Sequence, residues 1–140
     1  MKAVGSVRSV IELADTYAQL PDAVSAGTRA ALAAANITAL TPVQRDAIPQ
    51  ALQGADVLAK GKTGTGKTLA FLVPTVERLL TGAHRVEAGS GTVRSLILTS
   101  ARELATQIAT EAERLLSHQG ASGAAKLSVV TIVGGRGIGA

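Results

Sequence analysis

Residues 61–68 read Gly-Lys-Thr-Gly-Thr-Gly-Lys-Thr, eight positions without one apolar side chain in a chain that is 46% hydrophobic. The spacing Gly61-x-x-x-x-Gly66-Lys67-Thr68 suits a loop that wraps a polyphosphate. Glycines let successive backbone N–H groups turn inward with no Cβ in the way. A helix opening at residue 67 adds the positive end of its dipole to that field. Lys67 then reaches the β- and γ-phosphates, and the Thr68 hydroxyl holds Mg²⁺. The competing reading is an accidental match in a glycine-rich loop. What separates the two is context, since a phosphate loop requires a strand before it and a helix after it.

Two other short patterns carry open alternatives. Gln44 lies three residues after Thr41, which reads as a capping box, with Gln44 satisfying the N–H of the cap residue. Ser100-Ala101-Arg102-Glu103 reads the same way at a second helix start. Arg102 there is either a solvated surface charge or a phosphate ligand at a helix N-terminus.

The elements that must position these residues follow from composition and period. Residues 22–35 are alanine-rich and favour helix, with Asn36 as the stop. A second helix begins at Thr41-Pro42, cap and first helical residue. Asp56–Ala59 is a short apolar strand feeding the glycine stretch. Leu69, Leu72, Val73, Val76, Leu79 and Leu80 predict a helix over 67–81, in which Pro74 removes a hydrogen bond and kinks the axis. Residues 82–92 are a loop by composition. Val93–Thr99 is a second strand, Arg102 to Ser117 a helix, and Leu127–Val133 a third strand before the closing GGRGIGA. Strands apolar on both faces, alternating with helices, predict an α/β fold with a parallel sheet covered by helices. Residues 1–21 are expected to be a mobile lead-in, and 22–140 the folded portion.

Bulk properties narrow the function classes. The chain has 140 residues, enough for one domain, and no cysteine, which removes disulfides and thiolate metal sites and suits an intracellular protein. No run of about 18 apolar residues is present to span a membrane. The first fifteen residues lack the apolar core of a secretory signal, and Asp15 makes them too acidic for a typical organellar transit peptide. The net charge of +4 lies wholly in residues 61–140, with nine Lys/Arg against five acids, beside the glycine-rich stretches where an anion would dock. One tyrosine and one phenylalanine argue against binding single strands by stacking bases.

Taken together, four motifs in order resemble the DEAD-box RNA helicases, over about residues 17–137. TPVQRDAI around Gln44 is similar to the adenine-reading Q motif. GKTGTGKTLAFLVP (61–74) is similar to motif I and its helix, Pro74 included. ARELATQI (101–108) is similar to motif Ia, and Gly134-Gly135 to the GG motif. The wording around TPVQ and GKTGTGKT most resembles the organellar and RNA-chaperone branch, so a mitochondrial location is among the compartments implied. The resemblance implies the N-terminal portion of a RecA-like domain and an activity in which ATP binding and hydrolysis drive RNA remodelling. It implies ATP with Mg²⁺ as cofactors, and as partners RNA and a second RecA-like domain. Gln44 would read the adenine edge with Thr41 beside it, and Tyr17 would cover the base. Gly61, Lys62, Thr63, Gly64, Thr65, Gly66, Lys67 and Thr68 would cradle the phosphates and metal. Arg102, Glu103, Gly134 and Gly135 would touch the RNA backbone without reading sequence.

Departures from the family pattern are as informative. Ser100-Ala101 stands where the family usually has Pro-Thr, and Ile37 and Leu40 replace an aromatic and a proline. The Asp-Glu-Ala-Asp motif is absent from these 140 residues, and so are the later motifs. Without that acid, hydrolysis lacks a group to hold Mg²⁺ and orient water. The chain alone is therefore expected to bind nucleotide weakly, without turnover. A non-catalytic nucleotide- or RNA-binding fragment is the first alternative. The second is a dinucleotide-binding oxidoreductase, suggested by Gly135-x-Gly137-x-x-Ala140, with no helix and no ribose-binding acid after it.

Overall fold

The computed structural model describes residues 16–17, 24–81, 92–119 and 127–134. Four helices follow in chain order: α1 (Ala26–Ala34), α2 (Pro42–Leu52), α3 (Lys67–Leu80) and α4 (Arg102–Ser117). Helix α1 starts at 26 rather than 22 because Ser25 is its cap, in extended backbone with Oγ accepting from the Thr28 N–H at 3.2 Å. It stops at Asn36 as expected. That residue turns left-handed at φ 56°, and Asn36 and Ile37 N–H donate to Ala33 and Leu32 carbonyls, each at 2.9 Å. Helix α2 ends the same way at Gly54, φ 85°. Pro74 lies inside α3 without ending it, and the Thr75 hydroxyl adds a 2.7 Å bond to the Phe71 carbonyl in the same turn.

Helix α2 packs along α3, α1 packs on α4, and α4 also touches α3. Leu32, Ile48, Leu72, Val73 and Leu115 form the centre of the core, each at most 1% exposed. Burying each of the larger ones contributes about 1.5–3 kcal/mol. Arg114 ties α4 to α1 by donating to the Ala31 carbonyl at 2.7 Å, near the end of α1 where a cation is favourable. Its other donors hold Glu111.

The structure qualifies several expectations. The sheet is not confirmed: none of the three apolar segments 56–59, 93–99 and 127–133 has strand structure among the described residues. Leu58, Leu98 and Val130 are 101%, 84% and 79% exposed. A helix closes its hydrogen bonds within itself, whereas a strand needs a neighbour to accept and donate. The only pairing outside the helices, among the described residues, is an isolated antiparallel bridge between Thr16 and Ala39. That bridge also corrects the mobile lead-in at residues 16 and 17: the Tyr17 N–H donates to the Thr38 carbonyl at 2.9 Å and its ring is buried. Helix α4 begins as expected, but its cap is Ala101, with no side-chain hydrogen bond. Ser100 therefore sits one residue too early to form a box with Glu103. Residues 82–91 of the loop expected at 82–92 lie outside the described residues. Among the described residues, no helix is long and apolar enough to cross a membrane.

Glu77 is also not the helix-surface residue that a carboxylate suggests. It is 2% exposed on the inner face of α3, and Ser25 Oγ donates to Glu77 Oε1 at 2.9 Å. Gln119, just past α4, joins the cluster through Thr28 Oγ1 at 3.1 Å and the Leu115 carbonyl at 3.0 Å. This small polar knot fastens the cap of α1 to α3 and to the end of α4. A buried carboxylate is tolerable there because a donor meets it.

Candidate phosphate-binding site

The glycine stretch connects residues 55–60, which have no regular structure, to the N-terminus of α3. Gly64 and Gly66 sit at φ 79° and 86°, the left-handed region that favours glycine. Gly66 is itself the cap residue of α3. The first N–H groups of that helix, with Lys67 and Thr68 in its opening turn, therefore face the loop. This is the geometry that attracts an anion.

The loop is held from two directions. From within, Lys67 Nζ donates to the Gly61 carbonyl at 2.5 Å and to the Lys62 carbonyl, and Thr65 Oγ1 donates to the Lys62 carbonyl at 2.8 Å. From outside, Gln44 Nε2 donates to the Gly66 carbonyl at 3.0 Å. Contact there is close enough that a Cβ on Gly66 would lie 2.4 Å from Gln44 Nε2 and 2.9 Å from Thr41 Oγ1. The turn that starts α2 is thus seated directly on the turn that starts α3.

Gln44 performs the capping role and one more. Its Oε1 accepts from the Thr41 N–H at 2.9 Å. Thr41 and Gln44 adopt the capping-box arrangement, but only the Gln44 half is a well-formed hydrogen bond. Thr41 Oγ1 is buried without a partner, because the reciprocal contact falls short of good geometry. The donor and acceptor ends of the Gln44 amide are fixed by what they face, an N–H on one side and a carbonyl on the other. Each end has one further site by its chemistry, a lone pair on Oε1 and a hydrogen on Nε2, but the side chain is 2% exposed, so a base reaches them only if the turn at Thr41 or the loop moves.

The other sequence-derived site residues lie apart. Tyr17 is 2% exposed in the core, so its ring has no face open to a base, and the expectation that it covers adenine is corrected. The cavity it borders, about 470 Å³, is shared with Arg29, Ala33, Ile37 and Thr38 and includes no residue of the loop 61–68. Burial pushes the Tyr17 phenol well above its ordinary range, with Arg114 opposing and Glu111 assisting. Lys62 and Thr63 are exposed on the loop, and Arg102 and Glu103 are exposed at the start of α4. Gly134 is exposed, with nothing near its Cβ position, and Gly135 lies outside the described residues. A cleft of about 560 Å³ runs beside the loop between α2, α3 and residues 55–59, and only Lys67 belongs to both. Its lining is mostly apolar, with Ala47, Ala51, Phe71 and Pro74, alongside Lys67, Arg78 and Asp56. No group of three or more His, Asp or Glu side chains placed to hold a metal ion occurs among the described residues.

Sequence reasoning missed Glu77, yet the signal was present. It lies four residues after Val73 and three before Leu80, on the apolar stripe of α3. The contact between Gln44 and Gly66 had no local signal, because twenty-two residues separate them.

A glycine-rich loop capping a helix, with a lysine and a threonine in the first turn, is the helix side of a phosphate loop, while the strand side is not confirmed among the described residues. The profile of the DEAD/DEAH box helicase family matches residues 41–138. The chain belongs to that family, and membership implies a RecA-like fold and use of ATP. It is 44% identical to the mitochondrial ATP-dependent RNA helicase mss116 of Aspergillus fumigatus, over 71% of this chain and 15% of the relative. It is 44% identical to DEAD-box ATP-dependent RNA helicase 26 of Oryza sativa subsp. japonica, over 69% and 16%. Identity to the mitochondrial ATP-dependent RNA helicase cyt-19 of Neurospora crassa is 43%, again over 69% and 16%. The chain therefore spans about one sixth of the length of these relatives.

Proposed function

We propose that residues 22–140 form the N-terminal portion of the ATP-binding RecA-like domain of an ATP-dependent RNA helicase. The parallel sheet of that domain is part of the proposal, with segments 56–59, 93–99 and 127–133 as its strands. The observation that carries the reading is the seating of Gln44 and Thr41 on Gly66. It supports the reading because the Gln44 amide lies against the loop, close enough for one nucleotide triphosphate to engage both once the buried amide is reached.

In this reading Gln44 selects adenine with its remaining donor and acceptor. Backbone N–H groups of residues 63–68 and the Lys67 ammonium hold the phosphates. Thr68 supplies a hydroxyl to Mg²⁺, whose role when bound is to neutralise charge developing on the transferred phosphoryl group. Arg102, Glu103 and the Gly134-Gly135 backbone lie on the RNA side and contact phosphate and sugar. Such contacts set register without reading bases. The water-orienting acid and the arginine that complete hydrolysis are assigned to parts of the protein other than these residues. Names of two relatives carry a mitochondrial address, which favours an organellar compartment for this protein too.

The test is phosphate release by the whole protein with and without RNA. RNA-stimulated release that Lys67→Ala abolishes supports the assignment. Release equal in the variant and the parent would overturn it. Among the alternatives, a non-catalytic binding role is favoured only for the 140 residues in isolation.

A further inference from the structure

Among the described residues Glu77 is the only buried charged side chain. It lies in the last turn of α3, ten residues from Lys67, about 15 Å along the helix from the phosphate loop. Its partners make a continuous chain of hydrogen bonds between helices. Ser25 Oγ accepts the Thr28 N–H at 3.2 Å and gives its single hydrogen to Glu77 Oε1 at 2.9 Å. Thr28 Oγ1 accepts from Gln119 Nε2 at 3.1 Å, and the same amide nitrogen donates to the Leu115 carbonyl at 3.0 Å. Helix α3 is thereby tied to the last turn of α4 through the first turn of α1. The fit is close: a Cβ on Gly27 would lie 2.4 Å from Gln119 Oε1 and 2.8 Å from the His118 carbonyl.

Apolar packing is non-directional and by itself allows two helices to settle in more than one register. A buried carboxylate does not. Any slide or rotation of α3 that carries Glu77 off Ser25 leaves a charge in the core without that donor, and desolvation disfavours every such arrangement. The register is felt at the other ends of the helices. Residues 61–68 lead into α3, and Arg102 and Glu103 open α4. Both helices therefore present their N-termini from one fastening at their C-terminal ends.

We propose that Glu77, through Ser25 and Gln119, sets the register of α3 against α4 and is a positioning residue for the coupling between ATP binding and RNA binding. This rests on the reading of α3 as the ATP side and the start of α4 as the RNA side. Each site is built locally, so each binds its own ligand without the knot. What the knot supplies is their fixed relation, through which one ligand changes the affinity for the other.

Three variants test it. Glu77→Met puts an apolar chain of similar length in place of the carboxylate, and the Ser25 hydrogen still has Thr28 Oγ1 and Gln119 Oε1 at 3.2 and 3.3 Å. Such a swap of a buried charge is neutral or stabilising, so its melting temperature should equal or exceed that of the parent. Glu77→Gln keeps the acceptor, and Gln119→Leu cuts the tie at the end of α4. The first measurement needs no ligand: the distance between spin labels on Phe71→Cys and Thr110→Cys in the 140-residue chain, which has no cysteine of its own, diluted with unlabelled chain. One narrow distribution is expected in the parent and Glu77→Gln, and a broadened or displaced one in Glu77→Met and Gln119→Leu. The second is the affinity of the whole protein for an RNA oligonucleotide with and without ATP·Mg²⁺. The gain in RNA affinity on adding ATP·Mg²⁺ should fall about twofold to thirtyfold in Glu77→Met and Gln119→Leu, the span for residues that modulate coupling from outside both sites. Affinity for either ligand alone should match the parent, as should every property of Glu77→Gln. Unchanged distances, an unchanged gain in both variants, no gain in the parent, or loss of a cooperative melt in both variants would overturn the proposal. Distances altered as expected in a protein whose parent binds neither ATP nor RNA would instead overturn the helicase reading and leave the register assignment standing.

Discussion

At the residue scale the most informative side chain is Gln44, because it caps α2, grips the Gly66 carbonyl and is 2% exposed, so reading a base requires its turn to open. Gln44→Ala should cost about 1 kcal/mol of stability from the lost cap and, in the whole protein, collapse the preference for ATP over GTP in competitive titration. A stability loss with the preference intact would confine Gln44 to holding the two turns together. Gly66→Ala combines strain at φ 86° with a Cβ 2.4 Å from Gln44 Nε2. It should destabilise by about 1–3 kcal/mol in a thermal melt. Tyr17 gives a pH signature. Its phenol is raised from an ordinary value of 10.0, so the folded chain resists ionisation that the unfolded chain undergoes. Stability is therefore present below about pH 10 and is lost as the pH rises further. Tyr17→Phe should flatten that alkaline loss and leave neutral-pH stability equal or higher, because Tyr17 Oη is buried without a partner. Parallel melts at pH 7 and pH 11 decide it.

At the element scale, what was legible in the sequence divides by where hydrogen bonds close. Helices α3 and α4 fall within a residue of the expected ranges, since their period, caps and bonding are all local. The Thr41-Pro42 start of α2 was readable for the same reason. The strands were not verifiable locally, because 56–59, 93–99 and 127–133 depend on pairing with segments distant in sequence, and they carry no strand structure among the described residues. Individual side chains went astray where a local pattern offered a plausible alternative. Ser100 looked like a cap, but the backbone starts the helix one residue later. The charge of Glu77 suggests a solvated side chain, whereas its place on the stripe of α3 buries it and Ser25 supplies a donor. Ser25 belongs to both cap and knot, so its loss should be felt in two elements. Ser25→Ala removes a helix cap and leaves the Glu77 carboxylate without that donor. It should lower stability by about 1–3 kcal/mol, and Ser25→Thr should recover most of it.

At the scale of the whole molecule, helical packing surrounds a real core while several large apolar side chains stay in water. Leu58, Val93, Leu96, Leu98, Val130 and Ile132 are each at least 74% exposed. Exposed apolar segments favour association. The 140-residue chain alone should therefore show mass increasing with concentration in sedimentation or light scattering, and no RNA-stimulated phosphate release. A monomer with RNA-dependent turnover would show that these residues suffice for what is assigned here to the whole protein. The central claim is narrower: the turn at 61–68, seated on Gln44, is where ATP binds. Equilibrium titration of ATP·Mg²⁺ against the whole protein and its Lys67→Ala variant addresses it most directly. The account predicts saturable binding by the parent and none detectable in the variant. Equal affinity in the two would contradict it.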